Sequence, residues 1–178
     1  KTILCGQKVS SDFSNMIHVD ADYSRIVVQF TIDENERHSE IDYSFKFNRS
    51  CIYDEILSYA YMDGETRVVK SKLIDTSNSP TFSPVSKYKS LIGPSKENEL
   101  DVMVIKKMVR KEFRSFIFSS EFLEVVRNRN NECKDKEFMR HMYILESLVN
   151  FANYELFVVK SKCCIDDSMV LSKSALDV

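Results

Sequence analysis

Glycine is scarce in this chain, three in 178 residues, and proline is equally rare. Phosphate loops of the P-loop or dinucleotide-binding kind need several glycines in a short run, and no such run occurs. The histidines, His18, His38 and His141, stand far apart, with no H-E-x-x-H spacing, so neither a metal nor an acid–base role is expected of them. The five cysteines, Cys5, Cys51, Cys133, Cys163 and Cys164, are odd in number, and no C-x-x-C is present. That is poor material for a disulfide framework or a zinc site, and it points to reduced thiols in a cytoplasmic or nuclear protein. Ser119-Ser120 lacks the glycine elbow of a hydrolase nucleophile. Asp20/Asp22 and Asp166-Asp167 have no lysine at a spacing diagnostic of a nuclease. No apolar run reaches the roughly 18 residues of a membrane helix. The chain opens on Lys1 rather than Met, so a missing signal peptide carries little weight. With 25 basic and 27 acidic residues the net charge is -2, which supplies no global attraction to nucleic acid or membrane. The expectation is a noncatalytic protein without metal or cofactor.

What is present is enough apolar material, 43% of residues, to build a core. Val9, Phe13 and Met16 share a helical face, predicting a short helix over 10–17. Ile26, Val28, Phe30 and Ile32 alternate as a strand does, and so do Ile41, Tyr43, Phe45 and Phe47. The two predict an antiparallel hairpin, with Asp33 to Glu40 as a polar loop. Ser50 to Gly64, SCIYDEILSYAYMDG, reads as an amphipathic helix. Ser50 is its cap, Asp54 and Glu55 suit the first turn, Ile52, Ile56, Tyr59 and Ala60 form the stripe, and Gly64 is the stop. Arg67 to Leu73 is a short strand.

Residues 75–98 hold all three prolines, Pro80, Pro84 and Pro94, and many serines and lysines, as a linker or insertion does. From Leu100 the chain is apolar again. Ile105, Val109, Phe113 and Phe116 suggest a helix, with a strand over 102–105 as the alternative. Ser119 or Ser120 starts another helix, and Asn128 to Lys136 is a polar break. Glu137 to Asn153 is a helix through Phe138, Met142, Leu145, Leu148 and Ala152. A last helix over 155–165 would bury Leu156, Val159 and Cys163. The organisation read this way is 1–74, a linker or insertion over 75–99, inserted helices or a second start over 100–136, and a helical part over 137–178.

Three pieces together resemble the BTB/POZ family. Lys1, Leu4, Phe13 and Met16 approximate the early H-K-x-x-L-x-x-x-S-x-x-F-x-x-M/L pattern, with one extra residue before Phe13. Tyr53, Ile56, Leu57, Tyr59, Tyr61 and Gly64 follow the order of the F-x-x-L-L-x-(F/Y)-x-Y-T-G helix. Leu148, Ala152, Leu156, Val159 and Cys163 follow the later helical pair. The second and third pieces, adjacent in ordinary members, are separated here by Val68 to Met142. That gap reads as a long insertion or as a second copy in the manner of tandem ankyrin-BTB proteins, since Phe113 to Val126 is similar to the early segment.

The resemblance implies an α+β fold, a BTB-like helical cluster with a small antiparallel sheet. It implies a dimerising adaptor with protein partners, a cullin ubiquitin-ligase scaffold among them, and no membrane. Tyr53-Asp54-Glu55 matches the apolar-x-Glu start of the cullin-contacting helix, which makes Tyr53 and Glu55 partner-binding candidates, with Tyr59 and Tyr61 beside them. Their plain alternative is a half-buried aromatic and a favourable first-turn charge. A second functional reading rests on the run KKMVRKEFR. Lys106, Lys107, Arg110, Lys111 and Arg114 with Phe113 read as a nucleic-acid footprint, against the plain alternative of a solvated helix face.

Overall fold

A computed structural model describes residues 1–34, 37–63, 67–77, 89–93, 95–130, 135–160 and 168–172. It is α+β: a four-stranded antiparallel meander with helices over one face. The strands are β1 (Ser24–Glu34), β2 (Arg37–Phe47), β3 (Ile52–Asp63) and β4 (Arg67–Asp75), side by side in that order. A 3-10 turn at Ser11–Met16 precedes them, where the short N-terminal helix was expected. Helices α1 (Lys89–Ile92), α2 (Lys96–Lys111), α3 (Ser120–Asn130) and α4 (Lys136–Asn150) follow, α4 running on into a π-helical turn at Phe151–Glu155. Strands β5 (Leu156–Lys160) and β6 (Ser168–Ser172) form a separate antiparallel pair.

Alternation builds the sheet. In β2, Ile41, Tyr43, Phe45 and Phe47 are buried, and Glu40 and Asp42 on the other side are exposed. Their partners across the ladder are Tyr59 for Ile41, Leu57 for Tyr43 and Ile52 for Phe47, so one face is apolar from strand to strand. One hydrophobic cluster runs from Leu4 through Leu73, Leu91, Val102, Phe122 and Phe138 to Leu156. The expected boundaries at 74, 99 and 136 therefore do not separate cores.

Four sequence expectations change here. The Ser50–Gly64 helix is strand β3. The strand contains a β-bulge: Ser44 pairs with Ile56 and Lys46 with Tyr53, so Phe45 faces two residues, Asp54 and Glu55. The extra residue shifts the alternation by one position. Ile52 points into the core before the bulge, and Glu55, Leu57 and Tyr59 after it, so the expected stripe splits: Ile52 and Tyr59 are buried, while Ile56 and Ala60 fall on the other side. The polar loop over 33–40 is mostly ladder, since β1 reaches Glu34 and β2 starts at Arg37. Backbone pairing carries strands past the point where their apolar pattern stops. The 155–165 helix is replaced at its start by β5, whose Leu-Phe-Val-Val suits a strand. The helix expected through Phe113 and Phe116 stops at Lys111, and the strand alternative at 102–105 lies inside α2.

The ends of the Pro-rich stretch are structured: Asp75 and Thr76 are buried, and α1 buries Leu91 and Ile92. The centre of that linker expectation, 78–88, lies outside the described residues, as do Gly64, Pro94 and Cys163. The expected start of the later helix at Ser119 or Ser120 matches α3, where Ser119 Oγ accepts from the Phe122 amide at 3.3 Å.

Candidate functional site

A cavity of about 830 Å³ opens between the first half of β3 and the last turns of α2. Helix α2 buries Val102 and Val109, which sets one flank of the helix toward the strand. Residues one turn apart share a flank, so Lys106 with Arg110 and Lys107 with Lys111 fall in two adjoining rows. All five cations of the basic run, Arg114 included, line the cavity. Tyr53, Asp54 and Glu55 line the opposite wall, with Asn48, Ser50 and Cys51 beside them. The cavity thus unites Tyr53 and Glu55 with the basic run, two sets the sequence had suggested for different functions.

Two left-handed residues border this region, Asp54 (φ 49) in the bulge and Phe113 (φ 56) just past α2. Phe113 occupies the position a glycine usually takes in a Schellman ending. Its amide reaches the Arg110 carbonyl at 3.3 Å and the Arg114 amide reaches that of Val109 at 3.0 Å. A side chain in this conformation costs about 1–2 kcal/mol. Burial of the ring, edge-on to Phe13 at 6.5 Å, offsets it.

The acids near the cavity are already occupied. Asp54 pairs with Lys46 at 3.1 Å. Glu55 is 2% exposed. Its Oε2 accepts from the Tyr43 hydroxyl at 2.8 Å and the Ser115 hydroxyl at 2.5 Å, and its Oε1 accepts from the Phe116 amide at 2.7 Å. Thr76 accepts from the Glu55 amide through its hydroxyl and donates its own amide to the Glu55 carbonyl, both at 2.8 Å. Burial raises the Glu55 carboxyl above its ordinary value, and the donors from Ser115, Phe116 and Tyr43 oppose that shift. Glu55 therefore ties β3 to the 112–119 connection and does not present its carboxylate to a partner, which corrects the outward role expected of it.

The cations divide in the same way. Arg114 donates to both oxygens of Glu121 at 2.8 and 2.9 Å, to Glu112 at 2.8 Å and to the Gly6 carbonyl at 2.8 Å. The Arg114 bond holds the Glu121 carboxyl down at about 2. Arg110, by contrast, lies 5.7 Å from the Tyr53 ring and donates to Cys51 Sγ at 3.4 Å. Among the described residues Lys107, Arg110 and Lys111 pair with no carboxylate.

Tyr59 and Tyr61 are elsewhere, on the second half of β3 against α4. Their rings stack at 5.9 Å. Tyr59 Oη is 3.2 Å from His141 Nε2, and the Arg140 guanidinium sits 3.8 Å from the Tyr61 ring centre. Burial lowers the His141 pKa. Among the described residues no three His, Cys, Asp or Glu side chains come together as a metal ion requires, and no helix is long and apolar enough to cross a membrane. Sequence reasoning missed Tyr43, Thr76 and Ser115 around Glu55, because no local pattern marks a hydroxyl that meets a carboxylate across the fold.

Comparison with known proteins returns no match to a family model, to a curated protein or to a solved structure.

Proposed function

We propose that this chain is a noncatalytic binding domain whose β3/α2 groove takes a phosphate-bearing ligand, nucleic acid foremost. One observation carries the reading: the basic run of α2 lines a concave site whose acids are already engaged in the fold. The near-neutral total charge does not oppose it. Salt limits the reach of a charge to about 8 Å at physiological strength, so a ligand in the groove responds to the local cluster. Lys107 and Lys111 supply point charges for phosphate, Arg110 a planar donor fork, and Tyr53 an aromatic face on which a base can stack.

The test is fluorescence anisotropy with a labelled single-stranded oligonucleotide over a range of salt concentrations. Affinity should fall linearly with salt on logarithmic axes. Lys107→Ala and Lys111→Ala should each reduce that slope by about 1, and the triple variant Lys107→Glu/Arg110→Glu/Lys111→Glu should lose binding while staying folded. No binding at low salt, or a triple variant that binds like the parent, would refute the proposal.

The second reading is the BTB/POZ-type adaptor, with a cullin-like protein partner. A different observation favours it: Leu100, Val104 and Met108, at 62%, 66% and 37% exposure, recur every fourth residue along α2. Such a stripe is the usual apolar centre of a protein interface. On this reading Tyr53 remains a contact and Glu55 is replaced by the stripe. Pull-down of a purified cullin by the parent, and its loss with Leu100→Asp/Val104→Asp, would support it. Equal capture by both proteins would end it.

A further inference from the structure

The two edges of the sheet are built differently. Edge strand β4, Arg67–Asp75, carries Lys70 and Lys72, the residue type that natural sheets place on an edge to prevent further pairing. Edge strand β1 carries no such guard at its centre. From Ile26 to Ile32, IVVQFTI, it has no charge and no proline. Among the described residues only β2 pairs with it. Ile26, Val28, Phe30 and Ile32, which face the helical layer, are only partly covered, and Val27 on the other face is 53% exposed. Beside this edge lies a second cavity, about 620 Å³, between Phe30 and Ile32 on one side and Tyr143, Ser147 and Phe151 on the other. An edge of this length and composition pairs with another strand or aggregates.

The geometry points to a second copy of this chain as the occupant, joined β1 to β1 in an antiparallel, two-fold symmetric pair centred on Gln29. A two-fold contact must be self-complementary, and the sequence of β1 is. Centring on Gln29 puts Val28 opposite Phe30 and Ile26 opposite Ile32 on the helix-facing side. On the outer side it puts Val27 opposite Thr31. Shifting the register by one residue would set the apolar side of one strand against the solvent side of the other. The apolar pattern is therefore kept in this alignment and lost in its neighbours one residue away. The two four-stranded sheets become one of eight strands, and each copy's cavity beside Phe30 adjoins the seam. This pairing is independent of the ligand groove, which lies two strands away on β3.

The experiment is sedimentation analysis of the full chain across a concentration series. The parent should dimerise. Gln29→Lys places like charges face to face on the two-fold axis and should raise the dimer dissociation constant roughly tenfold or more. Its lysine can still meet Asp42, which the Gln29 amide now reaches at 2.9 Å, so the fold is retained. A parent that stays monomeric at its highest soluble concentration overturns the inference. So does a Gln29→Lys protein as dimeric as the parent. Capture of an extended peptide from another protein by a monomeric chain would show that the edge works but takes a different occupant, and also counts against it. Oligonucleotide binding by a Gln29→Lys monomer would separate this result from any failure of the groove reading.

Discussion

The two halves of β3 do different work with the same backbone. At Leu57 to Tyr61 the ladder to β2 is regular and backs onto α4, with Tyr59 against His141 and Tyr61 under Arg140. At Ile52 to Glu55 a bulge breaks the alternation, turns a carboxylate inward and leaves Tyr53 and Asp54 on the wall of a cavity. The regular half holds two layers together by apolar and aromatic contact. The bulged half anchors by polar bonds and leaves room for a ligand. One extra residue in a strand is enough to separate a packing surface from a binding surface.

The sharpest way to break this comparison is to remove the polar anchor. Glu55→Ala leaves the Tyr43 and Ser115 hydroxyls and the Phe116 amide buried without their acceptor, and should cost about 3 kcal/mol in urea unfolding. Next comes Arg114→Ala, which frees Glu121 and the Gly6 carbonyl and should cost about 1–2 kcal/mol. Arg110→Ala should leave stability within about 0.5 kcal/mol and weaken ligand binding instead. At the regular end, a double-mutant cycle between Arg140→Ala and Tyr61→Leu should return a coupling of about 0.5–1 kcal/mol. Equal losses from Glu55→Ala and Tyr61→Leu would erase the distinction between the halves.

The smallest effects are in the pH profile, where the two ends have opposite signs. His141 has a lowered pKa in the fold, so the unfolded chain takes up its proton first. Its contribution is full above the ordinary value of 6.5 and is lost as pH falls through 6.5 toward the folded value. Glu55 has a raised pKa, so its contribution is full below the ordinary 4.5 and declines as pH rises from there through the folded value. His141→Asn should flatten the first limb of a stability–pH curve and Glu55→Gln the second. An unchanged slope below pH 6.5 in His141→Asn would show that the imidazole is not the titrating group.

Much of the fold was legible where apolar period and element agreed. The cores of β1 and β2, the Arg67 strand and α4 stand where alternation or helical spacing placed them. β3 was not legible, because the bulge interrupts the two-residue alternation that marks a strand, and Ile52, Ile56, Tyr59 and Ala60, which lie at helical intervals, are divided between its two faces. Half of the candidate site was visible as the run KKMVRKEFR, but its opposite wall was read as a separate helix. Nothing local distinguishes Arg114, which the fold consumes, from Arg110, which faces the cavity.

By itself the sequence determined which residues alternate, where the cations cluster, and that seven successive residues of β1 carry no charge. These are properties of neighbours along the chain, and local period and charge are enough to express them. Only the tertiary structure decided that β3 is a strand, that Glu55 faces inward and that the basic flank of α2 overlooks Tyr53. Those outcomes depend on partners 60 residues away, such as Ser115 for Glu55. A buried carboxylate is tolerated only where such donors arrive together, and their arrival is a property of the packed layers and not of any stretch of chain.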